Sequence, residues 1–208
     1  MAPFSTTRTG RRRPPRGPLS YEAFLEWTDE DTRAEWVDGE VFLMSPASTR
    51  HQDIADFLTA TLRLFVEHHD AGRVLSAPFQ MKLENGREPD VLFVARDHLD
   101  RLQDTYLDGP ADLVIEIVSP ESGPRDRGDT FYEYEAGGVR EYWLIDPARQ
   151  QVELYRLGDD RQYRSVQPTD TDRYESAVVP GMWLRASWLW QAPLPKVLDV
   201  ARQWGIVG

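Results

Sequence analysis

Two acidic residues stand where a buried strand should have none. Asp90 follows Pro89 at the entrance of the apolar run VLFVA, and Glu116 lies inside the apolar run LVIEI. Side chains alternate along a strand, so in DLVIEIVS the residues Asp112, Val114, Glu116 and Val118 share one face, while Leu113, Ile115 and Ile117 take the other. Burying an ionised carboxylate without a partner is costly, so Glu116 must be protonated, paired with a cation or ligating a metal. Pro89 forces Glu88 into an extended conformation and so fixes the approach of Asp90. If the two strands are neighbours, both carboxylates converge. With an adjacent backbone carbonyl they form an all-oxygen site suited to Mg²⁺ or Mn²⁺. The competing roles are structural: an ion pair between Glu116 and a buried arginine, and a turn position for Asp90 after proline.

The elements that position these residues follow from pattern. Ser20 precedes a short helix running through Glu26. Asp38-Gly39 separates two β-prone runs as a tight hairpin turn. Between Ser48 and His69, Ile54, Phe57, Leu58, Leu62, Phe65 and Val66 recur at three- and four-residue spacing, which predicts the longest helix. RVLSAPFQMKLENGREPDVLFVARD reads as two strands about the turn Glu84-Asn85-Gly86, and ADLVIEIVSP as a more central strand ended by Pro120. A helix closed by Gly137-Gly138, a strand REYWLIDP and a hairpin through Gly158-Asp159-Asp160 come next. The chain ends in a short strand, a Trp-rich segment and a helix from about Pro195 to Trp204. The expected fold class is α/β, a mixed sheet flanked by helices with a β-rich end. Neither GxGxxG nor GxxxxGK occurs, which argues against a phosphate-loop fold.

Composition bounds the function. At 208 residues and 40% hydrophobic content, one sizeable core is expected. The expected organisation is a disordered basic leader over residues 1–19 and a single domain over residues 20–208. The chain has no cysteine, which excludes disulfides and thiolate metal sites. There is no apolar run of membrane-spanning length, and the Arg-rich start has no apolar segment behind it, so no membrane association or secretory signal is expected and the protein is expected to be cytoplasmic. The first twenty residues hold Arg8, Arg11, Arg12, Arg13 and Arg16 and no acid, leaving 19 basic and 35 acidic residues in the remainder. Such a body repels polyanions on average, so nucleic-acid chemistry needs local arginine, a divalent metal or the basic leader. The leader is read either as a disordered segment or as a DNA-tracking arm.

The blocks EWVDGEVFLMSPASTRHQDIADFL, EPDVLFV, DLVIEIVSPES, RDRGDTFYEYEAGGVREYWLIDP and VELYRL, with the ending VVPGMWLRASWLW, resemble the Uma-type family of restriction-endonuclease-like proteins. That family is a branch of the PD-(D/E)xK nucleases, and the match runs from about Tyr21 to Pro195. The resemblance implies a restriction endonuclease-like fold with additional β-hairpins on the C-terminal side. It also implies a divalent-metal-dependent endonuclease with DNA as substrate, Mg²⁺ (or Mn²⁺) as cofactor, and ligands Asp90, Glu116 and the carbonyl of Ile117. The family's acidic position ahead of the DG turn falls on Glu35, which would orient a metal-bound water or hold a second ion, or else be a solvated hairpin carboxylate. Its helix histidine falls on His51, a phosphate contact or proton-transfer group, or a satisfied capping-region histidine.

One departure weakens full activity. The usual core lysine two residues after the glutamate is Val118 here, and the displaced position on the following helix is Thr130. The cations that could replace it are Arg127, Arg125 and Lys82, the last from a strand expected to hairpin onto the Asp90 strand; Lys82 could equally snorkel from a sheet edge. The alternative function is therefore a catalytically weakened nuclease fold that binds nucleic acid or regulates. Tyr132, Tyr134, Tyr142, Trp143, Trp183, Trp188 and Trp190 are read as core or interface aromatics or as base-stacking platforms, and exposed aromatics near the C-terminus as a homodimer contact.

Overall fold

The computed structural model describes residues 14–15, 17–29, 32–119, 126–170 and 172–207. The leader arginines Arg8, Arg11, Arg12, Arg13 and Arg16, the strand-stopping Pro120 and the candidate cation Arg125 lie outside the described residues.

Helix α1 (Tyr21–Trp27) starts as the sequence predicts, with the Ser20 hydroxyl accepting from Ala23 N. Strands β1 (Ala34–Val37) and β2 (Glu40–Leu43) pair across Asp38 and Gly39, whose φ values of 51° and 86° are the left-handed pair that a two-residue hairpin demands. Helix α2 (Thr49–His68) is capped by Ser48, and its predicted apolar stripe is its buried face.

The segment between α2 and Glu116 departs from expectation. It forms β3 (Gly72–Ser76), β4 (Gln80–Lys82), β5 (Gly86–Arg87) and β6 (Val91–Ala95), not two strands. β3 pairs antiparallel with β6. After Pro78 the chain leaves that pair, and β4 and β5 join β1 in another sheet. Lys82 is therefore not on a strand paired with β6, which corrects the expected hairpin. Runs of two or three residues are too short to show a periodicity, and proline cannot continue the ladder.

Strand β7 (Tyr106–Asp108) follows a 3₁₀ turn, and β8 (Leu113–Ile117) follows it. Helix α3 (Asp129–Gly137) is closed by Gly138 at φ 92°, as the Gly-Gly pair predicts. Then come β9 (Glu141–Asp146), the β10 (Gln151–Leu157) and β11 (Tyr163–Val166) hairpin, the β12 (Arg173–Glu175) and β13 (Trp183–Arg185) pair, and α4 (Val197–Gln203). The larger sheet has order β11-β10-β9-β8-β6-β3, the smaller β2-β1-β5-β4-β7. β8 and β9 run parallel and the remaining pairs of the larger sheet antiparallel, so the sheet is mixed.

Alternation along β8 sorts the core in two. Leu113, Ile115 and Ile117 pack with Ile54, Leu58 and Phe65 of α2, while Val114 packs with Tyr134, Tyr142 and Leu92 on the opposite face. Trp183, Trp188 and Trp204 pack on one another and against the α2 side, Trp183 and Trp188 with ring centroids 5.1 Å apart. Tyr134, Tyr142 and Trp143 are fully buried, so those aromatics are core; Tyr132 is the exposed one. Among the described residues, no helix is long and apolar enough to cross a membrane.

Candidate metal centre and cleft

β6 and β8 are antiparallel neighbours with Val91 opposite Ile115 and Leu92 opposite Val114. One step further along this register sets Asp90 against Glu116, and both belong to the face of Leu92 and Val114. Three hydrogen bonds fix the pair. Ile117 N donates to Asp90 Oδ2 at 2.8 Å, Asp90 N donates to Glu116 Oε2 at 3.4 Å, and the buried Tyr134 hydroxyl of α3 donates to Glu116 Oε1 at 2.7 Å. Among the described residues, Glu116 is thus held by a phenol and an amide, and not by an arginine.

The first turn of α2 brings His51 to the same place, Nε2 lying 3.1 Å from Asp90 Oδ2. Burial pulls the His51 pKa down, but the hydrogen bond and charge of Asp90 outweigh it and the net shift is upward. Burial, then the negative charges of Asp90 and Asp126, hold Glu116 well above the usual carboxylate range, against the opposing bond from Tyr134.

Asp90, Glu116, Ile117 and His51 line a cleft of about 660 Å³, with Glu35, Glu88, Asp126 and Arg33 also in its wall. Glu35 is buried on β1, not solvated, and Arg87 Nη1 lies 3.3 Å from its Oε2. Arg87 also binds Glu133 of α3 through Nη2 at 2.5 Å, so one buried guanidinium ties β1 to α3. Both carboxylates outweigh burial and raise the Arg87 pKa.

The structure therefore brings together Asp90, Glu116, Ile117, His51 and Glu35 of the predicted residues. It leaves out two. Lys82 Nζ donates to the Glu84 carbonyl at 2.6 Å and sits 4.5 Å from the centroid of the Trp36 ring. Arg127 precedes α3 instead of sharing its face with Thr130, and its guanidinium bridges Asp146 at 3.0 Å and Glu153 at 2.8 Å. Thr130 is buried, its hydroxyl without a hydrogen-bond partner among the described residues. The sequence did not mark Arg33, Glu88 and Asp126 as cleft residues, and it offered Tyr134 as a core, interface or base-stacking aromatic and not as a partner of Glu116. Only Glu88, directly before Pro89-Asp90, carried a local signal.

Among the described residues no three His, Asp or Glu side chains are arranged to hold a metal ion. The donor set is two carboxylates beside one backbone segment, all oxygen. That set fits Mg²⁺, which keeps several waters and takes one or two carboxylates plus substrate phosphates in place of a full protein cage.

The model of the Uma2 family, described as "Putative restriction endonuclease", matches residues 21–187. An uncharacterised protein of Synechocystis sp. is 28% identical over 164 residues, covering 76% of this chain and 84% of that protein. The crystal structure of a "putative nuclease" from Anabaena variabilis ATCC 29413 superposes with TM-score 0.69 at 17% identity, covering 83% of this chain and 98% of that one. The fold is therefore that of a nuclease-like α/β protein, and the chain belongs to the Uma2 family of restriction endonuclease-like proteins.

Proposed function

We propose that this protein is a divalent-metal-dependent endonuclease that hydrolyses DNA phosphodiester bonds, with Mg²⁺ or Mn²⁺ held by Asp90, Glu116 and the Ile117 carbonyl. The observation that carries the reading is the pairing of Asp90 and Glu116 on adjacent strands at the floor of one cleft, fixed by Ile117 N at 2.8 Å and Tyr134 at 2.7 Å. When bound, the ion supplies Lewis-acid polarisation of a phosphoryl oxygen and a bound water of lowered pKa. The chain's own groups do the rest. Tyr134 and Asp90 N hold the two Glu116 oxygens in one orientation. His51 holds a proton at Nε2 beside Asp90, where it steadies the carboxylate. Glu35, fixed by Arg87, presents a carboxylate on the β1 side of the cleft, suited to orient a water.

Purified protein incubated with plasmid DNA and Mg²⁺ or Mn²⁺ is expected to nick or linearise it, and Asp90→Ala and Glu116→Ala are expected to abolish cleavage. Cleavage indifferent to both substitutions contradicts the assignment.

Thr130, in place of a cation, favours a second reading: a weakened nuclease fold acting as a nucleic-acid-binding or regulatory module. Tyr134, one turn along α3 from Thr130, reaches Glu116, so a lysine at position 130 would project toward the same carboxylates. Cleavage that appears only in Thr130→Lys supports the second reading, whereas cleavage by the natural chain excludes it.

A further inference from the structure

We propose that Arg33 is the residue that grips the substrate phosphate, supplying from the β1 side of the cleft the positive charge that Thr130 cannot. This rests on the nuclease reading above. Of the described cationic side chains, Arg33, Arg50 and His51 line the cleft. Arg50 spends both Nη groups on the carbonyls of Gln191 and Leu189, and His51 is taken up by Asp90. Arg87 and Arg127 each bridge two carboxylates. Arg33 is different. Its Nε donates to Glu88 Oε1 at 2.6 Å, and among the described residues the guanidinium forms no other hydrogen bond or ion pair.

The tether is rigid. The Glu88 side chain is fully buried, and its Oε2 accepts from Ala34 N and from Gln80 Nε2, each at 3.3 Å. The Arg33 side chain is 33% exposed, so the plane of the fork is fixed at its inner edge while the Nη groups remain available to a ligand. A planar pair of donors matches two phosphate oxygens, and a preorganised donor stabilises developing charge without reorganising. Arg33, His51 and Asp90 line one and the same cleft. Arginine stays protonated, so its role is to bind and neutralise the phosphoryl oxygens and not to abstract a proton.

The test compares wild type, Arg33→Lys, and the double variant Arg33→Gln with Glu88→Gln, which removes the cation together with its buried partner and so protects the fold. Three quantities are measured: kcat and KM on a defined duplex with Mg²⁺, Mn²⁺ affinity by calorimetry, and the salt dependence of binding to a fluorescein-labelled duplex in Ca²⁺. The expected result for the double variant is a kcat lowered ~10²- to 10³-fold, as when one oxyanion donor is lost. Mn²⁺ affinity should be retained, and the slope of log K against log salt should shrink by about 0.9, one phosphate contact. Arg33→Lys should keep the slope and lose most of kcat. A double variant with wild-type kcat and slope overturns the proposal, and so does one whose Mn²⁺ affinity falls in parallel with kcat, which marks a purely structural role. If wild type itself cuts no DNA, the nuclease reading fails and takes this inference with it; an active wild type with an indifferent double variant sinks Arg33 alone.

Discussion

Tyr134→Phe removes a single oxygen from the interior and leaves the ring. The ring stays packed edge-on against Tyr142, with centroids 5.2 Å apart, so no cavity of consequence opens. What is lost is the 2.7 Å bond to Glu116 Oε1, at a site where both side chains are buried. A hydrogen bond to a charged acceptor is worth ~1.5–3 kcal/mol, and an outer-shell partner of a metal ligand typically changes metal affinity ~10–100-fold. Without the phenol, Glu116 keeps, among the described residues, the long bond from Asp90 N, and burial with the neighbouring carboxylates raises its pKa against less opposition, so a proton competes better with a cation. The variant is expected to bind Mn²⁺ about tenfold more weakly at pH 7 by calorimetry, with the deficit shrinking as pH rises and the proton ceases to compete. Affinity unchanged across that range would refute the idea that Tyr134 orients a ligand and would leave it as core packing.

Arg87→Leu removes the buried guanidinium that bridges Glu35 and Glu133, and should cost about 3–5 kcal/mol in urea denaturation; a loss under ~1 kcal/mol would contradict the bridging role. Asp146 has its pKa lowered: burial acts against this, but Arg149 N and the Arg127 guanidinium outweigh it. The folded pKa thus lies below the unfolded value of ~3.9, so the contribution is present above that pH and disappears as pH falls through the folded pKa. Asp146→Asn should therefore lower Tm at pH 7 and converge with wild type in acid, whereas a constant gap would oppose the assignment. Lys82→Met should leave cleavage and Mn²⁺ affinity unchanged and lose only the ~0.5–1 kcal/mol of its contacts with Tyr21 and Trp36, while a loss of activity would restore Lys82 to the site.

What could be read directly from the sequence was local. The Ser48 cap, the apolar stripe of α2, the Asp38-Gly39 turn and the αL Gly138 are each fixed within a few residues by backbone sterics and periodicity. Glu116 stood out because its strand is otherwise apolar, and Asp90 because proline precedes it. The remainder depended on pairings between distant segments. Arg33 meets Glu88 across 55 residues and Asn85 meets Glu133 across 48, contacts that no pattern in a single segment announces. Tyr134 reads as core from its helical spacing, and it is core; only the parallel β8 and β9 pair with α3 between them turns its hydroxyl onto Glu116. The error at Lys82 had the same origin. β4 and β5 are so short that their partner in the smaller sheet, and not their own composition, decides where they lie.

A crystal soaked in Mn²⁺ and measured at the manganese edge tests the central claim most directly. An anomalous peak is expected in the cleft, within ligand distance of an oxygen of Asp90, an oxygen of Glu116 and the Ile117 carbonyl, with waters filling the remaining positions. No peak between those oxygens at millimolar Mn²⁺, or a peak elsewhere with the Asp90 to His51 and Glu116 to Tyr134 contacts undisturbed, would contradict the account.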